Sequence, residues 1–283
     1  MVKTMKELIK RVVPIRSRDI KRIVYHPLLQ DIKKYENDPS INLAIYDASI
    51  DALKFPQSAL EFVQDLNRGM IADAVPWLSK ADTFVPREGI VLDVGAYRGI
   101  TTQWFSHRAK RVYAFEPMPE NILSIRRAIE VRNIQNVEII DKAVTNRVGE
   151  SEFYICEVKG HNSLGKVGTS KIVDSIIVET TTIDNFAKIQ HIETIDFLKI
   201  DVEGFEYEVL NGAEGLLRHH LIRNILFEVS QEPLKSLNKS AGPIYDLLLD
   251  NGYSICNLDG DTVNREAILT CSFGDFLAKP NSQ

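Results

Sequence analysis

Between Ile90 and Gly99 the chain reads Ile-Val-Leu-Asp-Val-Gly-Ala-Tyr-Arg-Gly, and a helix-like segment follows at once from Thr101 to Ala109. Three apolar residues run into Asp93, and Gly95 and Gly99 then punctuate a turn. This order of signals predicts a buried strand, a glycine turn and a helix start. Glycine carries no Cβ, so Gly95 and Gly99 would let the backbone pass close to a bound molecule. The head of the following helix offers unpaired N–H groups, which favour an anionic group on that molecule.

From Ile90 onward strand-like and helix-like segments alternate, the pattern of a largely parallel sheet covered on both faces. Strands are expected at 90–94, 111–115, 136–140, 195–200 and 223–228, and helices at 100–109, 119–132, 204–219 and 240–251. The interval 145–190 breaks this rhythm. Ser151 to Val158 and Ser175 to Thr181 read as an inserted strand pair around a glycine-punctuated loop from Lys159 to Gly168. Tyr253 to Asn257 and Ile268 to Phe273 read as an antiparallel pair at one sheet edge. The expected fold class over residues 86–283 is therefore α/β, a doubly wound Rossmann-like sheet, mostly parallel with an antiparallel edge pair. Residues 1–85 differ in character. Met5, Leu8, Ile9, Val12 and Val13 recur at helical spacing, and residues 1–34 hold ten Lys or Arg against Glu7, Asp19 and Asp31. An N-terminal helical cap or oligomerisation region is expected there, and its basic amphipathic start suits peripheral contact with an anionic membrane or a partner; the alternative is a solvated helix packed on its own domain.

Composition narrows the function. With 283 residues, 44% hydrophobic and 26% charged, the chain can bury a sizeable core like an ordinary soluble protein. A formal net charge of -5 gives no general reason to expect nucleic acid as a partner. Cys156, Cys256 and Cys271 are an odd count without Cys-x-x-Cys spacing, which argues against a disulfide framework and a thiolate zinc site. No apolar run approaches the roughly 18 residues of a membrane span, and the N-terminus lacks a signal-peptide core, so a reducing, cytoplasmic setting is expected.

The glycine turn discriminates between nucleotide classes. A dinucleotide site calls for Gly-x-Gly-x-x-Gly with a pyrophosphate against the backbone, whereas the spacing here is Asp-x-Gly-x-x-x-Gly. An acid just before the glycines sits badly beside a pyrophosphate. It suits a ligand that carries an ammonium and a carboxylate together, such as S-adenosylmethionine. A second apolar strand, Arg111 to Phe115, ends in Glu116, 17 residues beyond Gly99, where a carboxylate can accept both hydroxyls of a ribose. Asp141, closing the third strand in Asp141-Lys-Ala143, is a candidate acceptor for an adenine amino group; the alternative is an exposed turn aspartate. A further apolar strand ends at Asp201, which should enter the same crevice as Asp93 and Glu116. Glu203 reads either as an active-site carboxylate or as a helix cap, and Glu206 as a solvated first-turn acid favoured by the helix dipole.

Taken together, Asp93-Val-Gly95-Ala-Tyr-Arg-Gly99, Phe115-Glu116-Pro117, Thr182-Ile-Asp184, Leu198-Lys-Ile-Asp201-Val-Glu203-Gly204-Phe-Glu206 and Leu210-Asn-Gly212-Ala213 resemble the FkbM-type methyltransferase family. The likeness runs from about Gly89 onward and leaves residues 1–85 uncovered. It implies a class I Rossmann-like fold, S-adenosylmethionine as methyl donor, and often a hydroxyl on a sugar or natural product as acceptor. By position it implies cofactor binding at Asp93, Gly95, Gly99 and Glu116 and an active-site role at Asp201 and Glu203. The candidate cofactor-binding set is then Asp93, Gly95, Ala96, Gly99, Glu116, Pro117, Asp141, Ala143 and Asp201.

Methyl transfer to a neutral alcohol requires alignment and removal of the acceptor's proton. Asp201, His161 and Glu228 are the candidate catalytic groups. Asp201 and Glu228 end what should be neighbouring strands, so they also offer the hard oxygen pair that Mg2+ takes; the alternative is plain polar lining. His161 lies with Asn162 and Ser163 on the glycine loop, a segment able to fold over the acceptor; the alternative is an exposed loop histidine without a role. A small-molecule or glycan hydroxyl is the expected partner. Two other classes stay open: a nicotinamide-dependent oxidoreductase keeping Glu116 for a ribose, and a non-catalytic binding or scaffold protein on the same fold. Protein or RNA methylation ranks lower, because no Asn-Pro-Pro-Tyr-type motif follows the fourth strand and the domain is not basic.

Overall fold

Val91, Leu92, Asp93 and Val94 are all buried, which places the first predicted strand in the middle of a sheet rather than at its margin. The computed structural model describes residues 76–168 and 170–281, so the helical region expected over 1–85 lies almost wholly outside the described residues. A short 3-10 helix, Pro76–Thr83, opens the described chain. In chain order the strands are β1 Ile90–Val94, β2 Arg111–Phe115, β3 Val137–Ile140, β4 Ala143–Val144, β5 Gly149–Cys156, β6 Ile172–Thr181, β7 Phe197–Ile200, β8 Ile225–Ser230, β9 Tyr253–Cys256 and β10 Phe273–Pro280. The helices are α1 Ile100–Ser106, α2 Pro119–Val131, α3 Ile183–Ile189, α4 Glu206–Asn211, α5 Glu214–Arg218, α6 Gln231–Ser236, α7 Gly242–Asp250 and α8 Arg265–Thr270.

Seven strands form the main sheet in the order β3-β2-β1-β7-β8-β10-β9. Pairing is parallel from β3 through β8 and antiparallel on both sides of β10, the mostly parallel Rossmann-like arrangement with an antiparallel edge that the alternation of segments predicts. Strand order reverses at β1, between β2 and β7. A crevice therefore opens beyond the carboxyl ends of these three strands. Leu92, Phe115, Leu198, Ile200 and Phe227 share one apolar core with Phe186 of α3, Leu210 of α4 and Ile244 of α7. On the opposite face Ala114 packs with Ala96 and Ile125 of α2. The inserted pair is realised as β5 and β6, which with β4 make a second, three-stranded sheet, β4-β6-β5.

Two elements depart from expectation. The segment Ile268 to Phe273 is not a strand: Ile268 lies on α8, whose start is capped by the Asn264 side chain accepting from Ala267 N at 2.8 Å, and strand pairing begins only at Phe273. The helix expected over 204–219 is two helices, α4 and α5, parted at Gly212. A Cβ on Gly212 would lie 2.2 Å from the Thr145 carbonyl oxygen, so the helix layer touches the backbone beside β4 there. Asp184 secures the same junction. Its N–H donates to the Gly212 carbonyl at 3.0 Å, and its carboxylate accepts from Gly215 N at 2.8 Å and Leu216 N at 3.0 Å, capping α5 from another element. The Thr182-Ile-Asp184 and Asn211-Gly212-Ala213 motifs are thus two halves of one clasp.

Gly212→Ala is expected to destabilise the fold by about 1–3 kcal/mol through backbone displacement. Gly160→Ala, where an added Cβ meets nothing within 4 Å, should stay within about 0.5 kcal/mol of the parent. Urea unfolding of the two variants, compared at equal m-value, checks the contrast.

Candidate functional site

The β1–α1 turn is built by backbone approach rather than left open. Gly95 has φ +77 and a Cβ there would lie 1.8 Å from the Asp201 carbonyl oxygen, so glycine is required because the β1 and β7 turns touch. Gly99, at φ +83, is the left-handed residue that starts α1 against Ile125 of α2. Both glycines serve contacts within the protein, a different reason from the ligand approach that their spacing predicts. The turn's N–H groups are also largely used: Gly95 N and Ala96 N donate to the Phe115 carbonyl at 3.2 and 3.0 Å, Gly99 N donates to the Ala96 carbonyl at 2.8 Å, and Tyr97 N donates to Glu116 Oε2 at 2.9 Å.

A cleft of about 750 Å³, the solvent at its mouth included, lies beyond the ends of β1, β2 and β7. Gly95, Tyr97, Glu116 and Pro117 line one side; Asp201 and Glu203 line another. The second sheet and its loop close the wall with Ala143, Phe153, Asn162 and Leu164. Of the sequence-derived candidates, Gly95, Glu116, Pro117, Ala143 and Asp201 meet at this cleft, whereas Ala96 and Gly99 stand behind it in the turn. Asp141 is exposed and is not among the lining residues, which is the turn-aspartate alternative. His161 is likewise not among them, although Gly160 and Asn162 on either side are. The loop is tied down by Asn162 Oδ1 accepting from Cys156 N at 2.8 Å and by the Ser163 hydroxyl donating to the Glu203 carbonyl at 3.0 Å.

Glu116 is 5% exposed. Its Oε1 accepts from Met118 N at 2.9 Å and Asn121 Nδ2 at 3.2 Å, and its Oε2 from Tyr97 N. Burial raises its pKa to about 7, against the lowering effect of the Met118, Asn121 and Tyr97 hydrogen bonds. Beside it the Tyr97 hydroxyl is buried without a hydrogen-bond partner among the described residues, and burial followed by the Glu116 charge holds its pKa above the ordinary tyrosine value.

Asp93 does not reach the cleft. It is fully buried, and its Oδ2 accepts from the Thr101 and Thr102 hydroxyls of α1 at 2.7 and 2.6 Å. Its Oδ1 has no hydrogen bond and lies 3.5 Å from Lys199 Nζ. Lys199, which apolar periodicity hides inside β7, is 4% exposed and donates to the Gly95 carbonyl at 2.9 Å while lying 3.1 Å from Asp201 Oδ2. Burial alone would lower its pKa; the Asp201 and Asp93 carboxylates more than reverse this and hold the ammonium charged. The sequence signal was one charge inside a continuous apolar strand, since a buried lysine needs an acid.

The turn after β7 is held by Glu206, not by Glu203. Glu206 is 3% exposed instead of solvated, and its Oε1 accepts from Val202 N at 3.1 Å and Gly204 N at 3.2 Å. Glu203, freed from capping and set at φ +55, faces the cleft. Its pKa rises to about 8, first through burial and then through the Asp201 and Glu206 charges. Glu228 of β8 and its strand partner Asp275 of β10 lie outside the lining residues and are both raised, chiefly by burial and the Asp201 charge. Among the described residues no group of three His, Cys, Asp or Glu is arranged to hold a metal ion, so the Asp201–Glu228 pair is not supported as a Mg2+ site. No helix among them is long and apolar enough to cross a membrane.

Comparison with known proteins bears on this cleft. No curated protein matches the chain. Among solved structures, the methyltransferase FkbM from Methylobacillus flagellatus KT is similar at 13% identity and a TM-score of 0.46, over 87% of this chain and 60% of that one. A candidate methyltransferase of Streptococcus mutans in complex with SAH is similar at 14% identity and a TM-score of 0.41, over 71% and 94% of the two chains. The precorrin-6y C5,15-methyltransferase from Geobacter metallireducens GS-15 follows at 11% identity and 0.41, over 72% and 87%. The family described as the methyltransferase FkbM domain matches residues 93–255. That span begins at the buried acid of β1, takes in both carboxylate-bearing strand ends of the cleft and covers more than half of the sequence, so the chain belongs to the FkbM methyltransferase family.

Proposed function

We propose that this chain is an S-adenosylmethionine-dependent methyltransferase that acts on a hydroxyl of a sugar, glycan or other small molecule. The observation that carries this reading is the cleft at the strand-order reversal of a methyltransferase-family sheet, lined by Glu116, Asp201 and Glu203 together. The residues present fit the cofactor. Glu116 already accepts three N–H donors, which leaves room for about one more among the roughly four acceptor positions of a carboxylate. One ribose hydroxyl fills that place, rather than the pair expected from sequence. The Tyr97 hydroxyl, buried without a hydrogen-bond partner among the described residues, calls for a polar group from the ligand, and Ala143, Phe153 and Leu164 supply an apolar wall. When bound, S-adenosylmethionine supplies a methyl group already activated on a positively charged sulfur.

The chain's own work is then orientation and proton removal. Glu203 serves as the proton acceptor, because a carboxyl titrating near 8 sits close to working pH, where general bases are most effective. Asp201 beside it stays paired with Lys199 and presents negative charge to the acceptor end. Lys142 is the one basic residue among the described lining residues, too little positive charge for a polyanionic acceptor, which supports a small neutral hydroxyl over nucleic acid.

Thermal shift with S-adenosylmethionine, S-adenosylhomocysteine and NAD tests the cofactor. The first two should raise the melting temperature by several degrees, because a ligand bound only by the folded state stabilises it; stabilisation by NAD alone overturns the reading. Glu116→Ala should weaken S-adenosylhomocysteine binding about ten- to a hundredfold, the loss of one charge-assisted hydrogen bond.

Calorimetry across pH adds a second check. Ionised Glu116 is the stronger acceptor, since protonation turns one of its oxygens into a donor, so binding is tightest above its folded pKa and weakens as pH falls through about 7. The Kd should rise about tenfold between pH 8 and pH 6, and Glu116→Gln should abolish this slope. Once a labelled-methyl screen against sugars identifies an acceptor, Glu203→Gln should lower kcat by about 10²–10⁴ with little change in KM.

A further inference from the structure

We propose that Lys199 is the positioning residue of this cleft, one buried ammonium that holds the Gly95 carbonyl of the β1–α1 turn and the Asp201 carboxylate at the end of β7 in a fixed relation. The proposal rests on the reading of the cleft given above and extends it to how the cleft is assembled.

Gly95 and Asp201 both line the cleft, and they belong to turns that follow different strands. Lys199 lies behind them, opposite Asp93 in the β1–β7 register, and is not itself among the lining residues. An ammonium has three N–H donors, and three oxygens surround this one: Gly95 O at 2.9 Å, Asp201 Oδ2 at 3.1 Å and Asp93 Oδ1 at 3.5 Å. Asp93 is anchored in turn by Thr101 and Thr102, so the same charge also reaches the first turn of α1. The negative groups that act on Lys199 come from three neighbouring strands: Asp93 from β1, Asp201 from the end of β7 itself and Glu228 from β8. A neutral donor here would leave these acids facing one another, and the planar, longer guanidinium of arginine does not reproduce three oxygens converging on one nitrogen. If Lys199 were needed only to neutralise Asp93, removing both charges together would restore the site as well as the fold. If it positions the cleft, the fold returns and the site does not.

The experiment measures S-adenosylhomocysteine binding by calorimetry and melting temperature on the full chain, for the parent, Lys199→Gln and the double variant Asp93→Asn/Lys199→Gln. The single variant should lose stability, because it strands a fully buried carboxylate. The double variant should regain most of that stability, yet bind about ten- to a hundredfold more weakly than the parent, the loss expected when charge-assisted hydrogen bonds to lining groups go. Binding by the double variant within about twofold of the parent, at restored melting temperature, overturns the proposal. Should neither variant fold, the parent decides: its Lys199 ammonium should give a slowly exchanging ¹H–¹⁵N signal that shifts on saturation with S-adenosylhomocysteine, and a signal that does not move overturns the proposal. A folded parent that fails to bind S-adenosylhomocysteine in the first arm rejects the cofactor reading itself, and the inference falls with it.

Discussion

A lysine ammonium buried between two aspartates is the interaction on which the working end of this protein depends. Lys199 and Asp93 sit on the two central strands, 4% and 0% exposed. Taking such charges out of water costs several kcal/mol each, and their attraction offsets that only when the remaining bonding positions are filled. Here most are filled: the Gly95 carbonyl and Asp201 take the ammonium, the Thr101 and Thr102 hydroxyls take one oxygen of Asp93, and its other oxygen keeps only the ion pair with Lys199 at 3.5 Å. Breaking such a buried pair from one side typically costs about 3–5 kcal/mol, a large share of a domain's net stability. An all-apolar centre would be simpler to pack but would not tie the head of α1, the first glycine turn and the residue that follows β7 to one point.

Close backbone contact then turns this anchored centre into a cleft. Gly95 lets the β1 turn touch the Asp201 carbonyl, and Gly212 lets the helix layer touch Thr145 beside the second sheet. The second sheet in turn delivers Phe153 and its following loop to the cleft wall. Each glycine fixes a distance between elements. Nearby, Lys239 donates to the Gly204 carbonyl at 3.0 Å and pairs with Glu208 at 2.9 Å, bracing the β7 turn from the far side.

The sheet was legible where local signals agreed. β1 and β2 combine apolar runs with an abrupt polar end, so their bounds read directly from the chain, and Glu116 and Asp201 followed because both close such runs. β10 was not legible, since Phe273-Gly-Asp-Phe-Leu-Ala-Lys-Pro carries glycine, two charges and proline; its strand character comes from pairing with β8 and β9, not from its own residues. Glu206 was misread because first-turn acids are usually solvated and favoured by the helix dipole. Its burial depends on the turn folding back over it, which no spacing encodes. Lys199 was passed over because the strand was read for its apolar neighbours, when the one charge among them carried the information. Asp93 was assigned to the ligand by its place before the glycines, yet its partners are all protein groups, two of them on the helix that follows.

The position of β10 bears on how the molecule comes into being. This strand lies between β8 and β9 in the sheet although it follows both in the chain. Until Phe273 and the residues after it emerge during synthesis, β8 presents a bare edge of N–H and C=O groups, and β9 lacks the neighbour it has in the finished sheet. A nascent chain halted before that point would expose an apolar strand template of the kind that seeds pairing between molecules. Strand β10 therefore acts as a keystone, set last among these strands into a place the sheet has held open for it.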